Sequence, residues 1–207
     1  MPANYDWGFK DTPQHQMERH NTGKPRLSLL PTAFVHAVNP HGLFTGPQRL
    51  IDDTTEVLEF GANKYSANNW RKSGPWLMCY DSMMRHVRDL LRGVERDTDS
   101  GLFQAGHIGC NMAFLLEFIE EGSGTDDRYK INRKMHLPTD CGPDLKLIVP
   151  NLVAWKDGGS HDYLLEATYQ FANWWENKAS SIKLVVDGVV KDNVILDSFK
   201  PPVMKKI

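Results

Sequence analysis

The chain has 207 residues, with 24 Lys or Arg against 26 Asp or Glu and a formal net charge of −2, so it has no general electrostatic attraction for duplex nucleic acid. The length suffices to bury a core, as one large domain or as one domain with an appendage. No apolar run approaches the ~20 residues that cross a bilayer, residues 1–10 lack the apolar stretch of a secretion signal, and three cysteines without Cys-x-x-Cys spacing read as reduced thiols, which together lead us to expect a soluble cytoplasmic protein with no membrane partner.

Residues 1–23 are polar, rich in Asn, Gln, His and Pro, and read as a loose arm. A short helix is expected between Pro31 and Pro40, because proline disfavours helix in the residue before it. A Gly- and Pro-bearing loop follows. A second helix is expected over about 47–62, with Leu50, Ile51, Leu58 and Ala62 on its apolar side and an end near Lys64-Tyr65. The third helix is the clearest, since Trp76, Tyr80, Met83, Val87, Leu90, Leu91 and Val94 follow the 3.6-residue period. Asp97-Thr98-Asp99-Ser100-Gly101 is turn chemistry. The fourth helix covers about 102–120, where Gly106 and Gly109 allow a neighbouring helix to approach closely. Residues 122–143 read as an exposed linker. Beyond it, 145–149 and 152–155 look like short β runs, 161–177 a helix, and 182–190 a hairpin turning at Asp187-Gly188. The expected class is mainly α, a helical domain over 24–121 with a small α+β extension over 144–207.

Glu56 and Glu59 stand three apart, so a helix sets both carboxylates on one face. Like charges there repel unless a cation neutralises them. A second acidic group, Glu95, Asp97 and Asp99, falls where the third helix stops. Oxygen-only donors on neighbouring helices favour Mg²⁺ or Mn²⁺ over zinc. A solvated face is the competing reading of Glu56 and Glu59, and simple turn chemistry that of the second group. Arg85, Arg88 and Arg92 form one basic stripe beside His86, and with Lys64 they offer charge to a polyphosphate. Lys64, Tyr65, Asn69 and Trp70 supply an ammonium, an aromatic ring and an amide in one loop, a set that suits a stacked base and its phosphates. His107 and Asn111 share a helix face and suit phosphate, base or outer bonds to the acidic ligands. Packing competes as the reading of Trp70 and of the His107/Asn111 face. The combination points to a metal-dependent nucleotide hydrolase.

The order of these residues resembles a known family. Lys24-Pro25-Arg26-Leu27-Ser28-Leu29-Leu30-Pro31 is followed by Phe60-Gly61-Ala62-Asn63-Lys64-Tyr65, Asn69-Trp70-Arg71, Arg85-His86, Asp97-Thr98-Asp99-Ser100-Gly101-Leu102, His107 and Asn111. Over about residues 23–121 this is similar to the dATP/dGTP diphosphohydrolases of phages and bacteria, related to MazG-like all-α nucleoside triphosphate pyrophosphohydrolases. The resemblance implies an all-α, MazG-like bundle, a carboxylate-bound Mg²⁺ or Mn²⁺, a homo-oligomer, and hydrolysis of a purine deoxynucleoside triphosphate to monophosphate and pyrophosphate. Glu56 and Glu59 occupy the position of the superfamily's Glu-x-x-Glu and are the expected catalytic carboxylates. The superfamily's second pair, Glu-x-x-Asp, is not reproduced, because Val94 stands where its Glu would be. Metal ligands therefore come from Glu56, Glu59, Glu95, Asp97 and Asp99, with the choice among the last three open.

Two other functions compete. His161-Asp162 is a literal His-Asp pair, which an HD-type phosphohydrolase would complete with ligands such as His107 and Asp187. The helical core also suits a non-catalytic nucleotide- or protein-binding module derived from a hydrolase.

Overall fold

The computed structural model describes residues 24–42, 45–130 and 145–180, and two short strands at 184–186 and 189–191. The arm over 1–23 and most of the expected linker lie outside the described residues. Helix α1, Thr32–Val38, starts directly after Pro31 and buries Phe34, Val35, Ala37 and Val38. The loop behind it is tied by the buried Asn39, whose Oδ1 accepts the Gly46 N–H at 2.7 Å. Helix α2, Arg49–Lys64, puts Leu50, Ile51, Thr54, Val57 and Leu58 into the core. Helix α3, Trp76–Leu91, follows Pro75. It stops short of Val94 because Gly93, at φ +84°, turns the chain. Gly93 N–H then bonds the Leu90 carbonyl and Val94 N–H the Asp89 carbonyl, a Schellman end.

Helix α4, Gln104–Glu121, is the axis of the molecule, with twelve of its eighteen residues buried. Both α2 and α3 pack along it. Gly106 and Gly109 face α2 so closely that a Cβ at Gly106 would fall on the Asp53 carbonyl, and one at Gly109 on the Thr54 hydroxyl. The expected close approach is therefore real, and α2 is the helix that makes it.

One expectation fails. The stretches 145–149 and 152–155 are not β but a single helix, α5, Leu145–Lys156. Its buried residues Leu145, Ile148, Leu152 and Trp155 keep a three-four-three spacing. Pro150 sits inside the helix on the exposed side, which makes one helix look like two short runs. Helix α6, Asp162–Ser180, buries Tyr163, Leu164, Ala167, Phe171, Ala172 and Trp175 and packs on α1, α2, α4 and α5. The strands β1, Leu184–Val186, and β2, Val189–Lys191, pair antiparallel with Val186 opposite Val189. Their turn, Asp187-Gly188, lies outside the described residues. The fold is mainly α.

Residues 122–130 are mostly exposed but not free of the body. Arg128, with a side chain 4% exposed, lies over the rings of Trp76 and Trp155 at 5.3 and 4.7 Å. It pairs with Asp126 at 2.8 Å and donates to the carbonyls of Trp155 and Gly159.

Candidate functional site

Four carboxylates lie along α2. Glu59 Oε1 accepts the Arg26 N–H at 2.6 Å, which ties the segment ahead of α1 to this helix. Glu56 is exposed one turn earlier. Asp53, one turn earlier again, accepts the Trp175 Nε1–H at 2.6 Å and has Arg49 Nε 3.7 Å away. Burial pushes Asp53 up to about 6 against the Trp175 bond and Arg49, and the charges of Glu56 and Asp52 add to the rise. Burial also raises Asp52, aided by Glu176, and raises Glu56, where Arg96 opposes it and Asp52 and Glu59 reinforce it. Burial is thus the first cause of all three rises, and repulsion from neighbouring carboxylates adds to each. Asp53, Asp52 and Glu176 were not among the residues expected from sequence. The signal for Asp53 is present, since Asp53-x-x-Glu56 repeats the spacing of Glu56-x-x-Glu59.

Around this edge is a stack of cations and rings. The Arg49 guanidinium lies over Trp175 at 4.4 Å and over Phe103 at 5.3 Å, and Arg96 covers Phe103 at 3.9 Å. Arg49 N–H also bonds Glu176 Oε2 at 2.9 Å.

The acidic group at 95–99 is differently occupied. Glu95 pairs with Lys178 of α6 at 2.8 Å. Asp97 Oδ2 accepts from the N–H groups of Asp99 and Ser100 and from the Ser100 hydroxyl, at 3.0–3.2 Å. Burial works against its charge, but the Ser100 bonds and the nearby His107 and His86 hold it below the usual carboxylate range. Asp99 is exposed and gives the turn only its N–H. Among the described residues, no three His, Cys, Asp or Glu side chains are gathered as a metal site. The group at 95–99 thus serves the turn and an ion pair, and it is Arg96 that approaches Glu56. The α2 carboxylates are the donors whose chemistry fits a hard divalent cation.

Behind the turn, His86 of α3 stacks on His107 of α4, with centroids 4.6 Å apart and planes 15° apart. His86 Nδ1 meets Gln104 Oε1 at 2.6 Å, and His107 Nε2 meets Ser100 Oγ at 2.8 Å. Burial, then the charge of His86, lowers His107 to about 4, against the pull of Asp97. Asn111, one turn further along α4, donates to the His107 carbonyl at 2.8 Å.

The remaining expected substrate residues divide in two. Arg85 and Arg88 stay exposed on α3 and Arg92 directly after it, with Arg88 near Asp89 at 3.5 Å. Lys64 and Tyr65 are exposed at the end of α2, the ammonium 5.5 Å from the ring centroid. Trp70 is a packing residue, stacked on Phe114 at 4.9 Å with the Arg71 guanidinium 4.5 Å from its ring. Arg71 is held by Glu117 and Glu121. Asn69 opens the short 3₁₀ turn Asn69–Lys72, which is flanked by Asn68 and Ser73, both at φ 58°. Those two left-handed residues fix the path of the loop at some cost in strain.

The His-Asp pair lies elsewhere. His161 and Asp162 line a cavity of about 690 Å³ between α1, α4 and α6, with His36, His41, Glu120 and Glu166. His161 Nδ1 accepts the Trp155 Nε1–H at 3.2 Å, and Asp162 accepts the Ser160 hydroxyl. His107 does not line this cavity but stacks on His86, so the ligands of an HD centre are not assembled among the described residues.

Fold and site define a mainly α protein whose candidate chemistry lies on α2, α3, α4 and the loops between them. Residues 14–128, which include those three helices, match the family model of the dATP/dGTP diphosphohydrolase N-terminal region. With more than half of the chain matched, the chain belongs to that family. A dATP/dGTP diphosphohydrolase of Salmonella phage PMBT28 is 28% identical over 80 residues, 39% of this chain and 27% of that protein. The match thus spans only about a quarter of that relative's length. No solved structure matches.

Proposed function

We propose that the protein hydrolyses a purine deoxynucleoside triphosphate, dATP or dGTP, to the monophosphate and pyrophosphate, with Mg²⁺ or Mn²⁺, in the nucleotide metabolism of a phage. The observation that carries this is the family match over residues 14–128, which takes in every candidate site residue expected from the sequence. The run of four carboxylates along α2 supports it. Glu56 and Glu59 would hold the cation, with Asp53 one turn away, and such a cation lowers the pKa of a bound water and offsets triphosphate charge. Glu59 keeps one carboxylate oxygen clear of the Arg26 bond and is the group to take the proton from the attacking water. Lys64, Arg85, Arg88 and Arg92 are exposed cations suited to the phosphate oxygens. A homo-oligomer belongs to the same proposal.

The test is a panel of dNTPs and NTPs with Mg²⁺ or Mn²⁺, read as pyrophosphate. Glu56→Gln should abolish release while leaving the melting curve in place, because Glu56 is exposed. Retained turnover in that variant would defeat the assignment. One observation favours a second reading, a nucleotide-binding module without catalysis: Glu95 and Asp97 are committed to Lys178 and Ser100. A melting shift with dGTP and metal, without pyrophosphate, would mark that case.

A further inference from the structure

The cavity between α1, α4 and α6 is lined by no residue of α2, and its lining differs in kind from the α2 edge. Its floor is apolar, with Ala37 and Leu116 buried and Ile119 and Tyr169 half-buried. Leu165 on its wall is an apolar side chain left 43% exposed. Around this floor stand Glu120 of α4 and Asp162 and Glu166 of α6. Among the described residues none of these three carboxylates has an ion pair, and no Lys or Arg lines the cavity. Arg128 and Lys130 act on His161 but do not line the cavity, and both are paired with Asp126. Asp162 opens α6 and already accepts the Ser160 hydroxyl at 2.9 Å. Glu166 takes the Gln170 amide N–H on one oxygen at 2.6 Å and keeps the other. Glu120 sits in the last turn of α4, where the negative end of the helix also favours a cation.

Carboxylates without a counterion repel phosphate, so this cavity does not suit a nucleotide. A bare metal ion does not fit either. His36, His41 and His161 share the lining, yet no three His, Cys, Asp or Glu side chains converge as a metal site among the described residues. The charges are spread over two helices around an apolar floor, a pattern that matches several positive charges carried along an aliphatic chain. The volume of about 690 Å³ lies within the roughly 300–1,000 Å³ of small-ligand sites. We infer that the cavity binds a linear aliphatic polyamine. Glu120 and Glu166 take its ammonium groups, Leu116, Ile119 and Leu165 cover its methylenes, and Tyr169 offers a ring to a cation. This does not rest on the hydrolase reading above.

The experiment titrates spermidine, 1,4-diaminobutane and the uncharged 1,5-pentanediol into the full chain, without nucleotide, at physiological salt. Calorimetry and the melting shift are read together. Spermidine should bind more tightly than the diamine, and the diol should not bind. Glu120→Gln and Glu166→Gln should each weaken spermidine by about two- to fivefold, and together by roughly tenfold. Both side chains are exposed, so the variants should melt with the unaltered protein. Glu56→Gln, on the acidic edge of α2, should leave spermidine binding unchanged. Spermidine binding that survives in the double variant overturns the inference, and if it falls with Glu56→Gln instead, α2 is the site. Equal binding of the diol overturns it by making the cavity a plain apolar one. A melting shift with Zn²⁺ that is lost in His36→Gln, with none from spermidine, overturns it in favour of a metal site. No response to either amine overturns it as well. None of these readouts depends on turnover, so this inference and the hydrolase reading fail separately.

Discussion

At Asp53, burial and two neighbouring carboxylates oppose one indole bond and one guanidinium, and the opposition leaves its carboxyl at about 6. A folded-state value above the unfolded 3.8 means that the folded protein binds this proton more tightly. The stability it contributes is complete below the unfolded value and is lost as pH rises through about 6, a change on the order of 2–3 kcal/mol. Asp53→Asn keeps an oxygen for Trp175 Nε1–H and removes the charge. In EDTA it should melt above the unaltered protein at pH 7.5 and show no such advantage at pH 4; an equal gap at both values would mean that Asp53 is not the titrating group. His107 has the opposite sign. Its value of about 4 lies below the unfolded 6.5, so its contribution is complete above 6.5 and is lost as pH falls through about 4. His107→Phe should therefore flatten the loss of stability between pH 6.5 and 4, and an unchanged acid slope would count against a neutral buried imidazole. Spacing alone revealed Glu56/Glu59 and His107/Asn111, since i+3 and i+4 pairs share a helix face wherever the helix lies. It did not reveal the bond from Trp175 to Asp53, which joins residues 122 apart, nor the stack of His86 on His107, which depends on how α3 and α4 cross.

The helices tell a similar story at the next scale. The glycines of α4 were legible as points of close approach because a missing Cβ has few other uses inside a helix. Their two contacts differ in kind, which makes the packing testable. A Cβ at Gly106 meets the α2 backbone at Asp53, whereas one at Gly109 meets the Thr54 side chain. Gly106→Ala and Gly109→Ala should each cost about 2–3 kcal/mol in urea unfolding. In a Thr54→Ala background the Gly109→Ala cost should largely disappear, while the Gly106→Ala cost should persist. Equal penalties for Gly109→Ala in both backgrounds would show that Thr54 is not what it strikes. Helix α5 was misread for an equally physical reason. Pro150 removes one N–H and crowds the carbonyl four residues earlier, so local rules end a helix there, but burial of Ile148, Leu152 and Trp155 on the other side holds it together. Because Pro150 is exposed, Pro150→Ala should stabilise the protein by roughly 1–3 kcal/mol, seen as a raised urea midpoint.

For the whole molecule, the family match ends at residue 128, yet the core does not. Arg128 stands at that point and holds the chain to the carbonyls of Trp155 and Gly159. Further on, α6 reaches back to the acidic edge of α2 through Trp175 on Asp53 and Glu176 on the Arg49 N–H, and to the turn after α3 through Lys178 on Glu95. The C-terminal helices therefore complete the surroundings of the candidate site as well as its support. Trp155, Leu164, Phe171 and Trp175 are all at most 1% exposed. At about 1.5–3 kcal/mol for each large side chain buried, these four represent roughly 6–12 kcal/mol, comparable to the ~5–15 kcal/mol by which a whole domain is stable. Part of that burial is against α1, α2 and α4, whose apolar faces would meet water if α5 and α6 were absent. A chain ending at residue 143 should thus lose its cooperative thermal transition and associate on gel filtration, although it retains all of the matched region. If it instead melts cooperatively within a few degrees of the full chain, the matched region folds by itself and α5 and α6 are an accessory layer. Arg128→Met separates the clamp from the layer. It keeps an apolar stem between the two tryptophan rings but removes the donors to both carbonyls and leaves Asp126 unpaired by Arg128. The clamp predicts a loss of about 1–3 kcal/mol, as when buried carbonyls lose their donor, with the helical content of the folded state unchanged by circular dichroism.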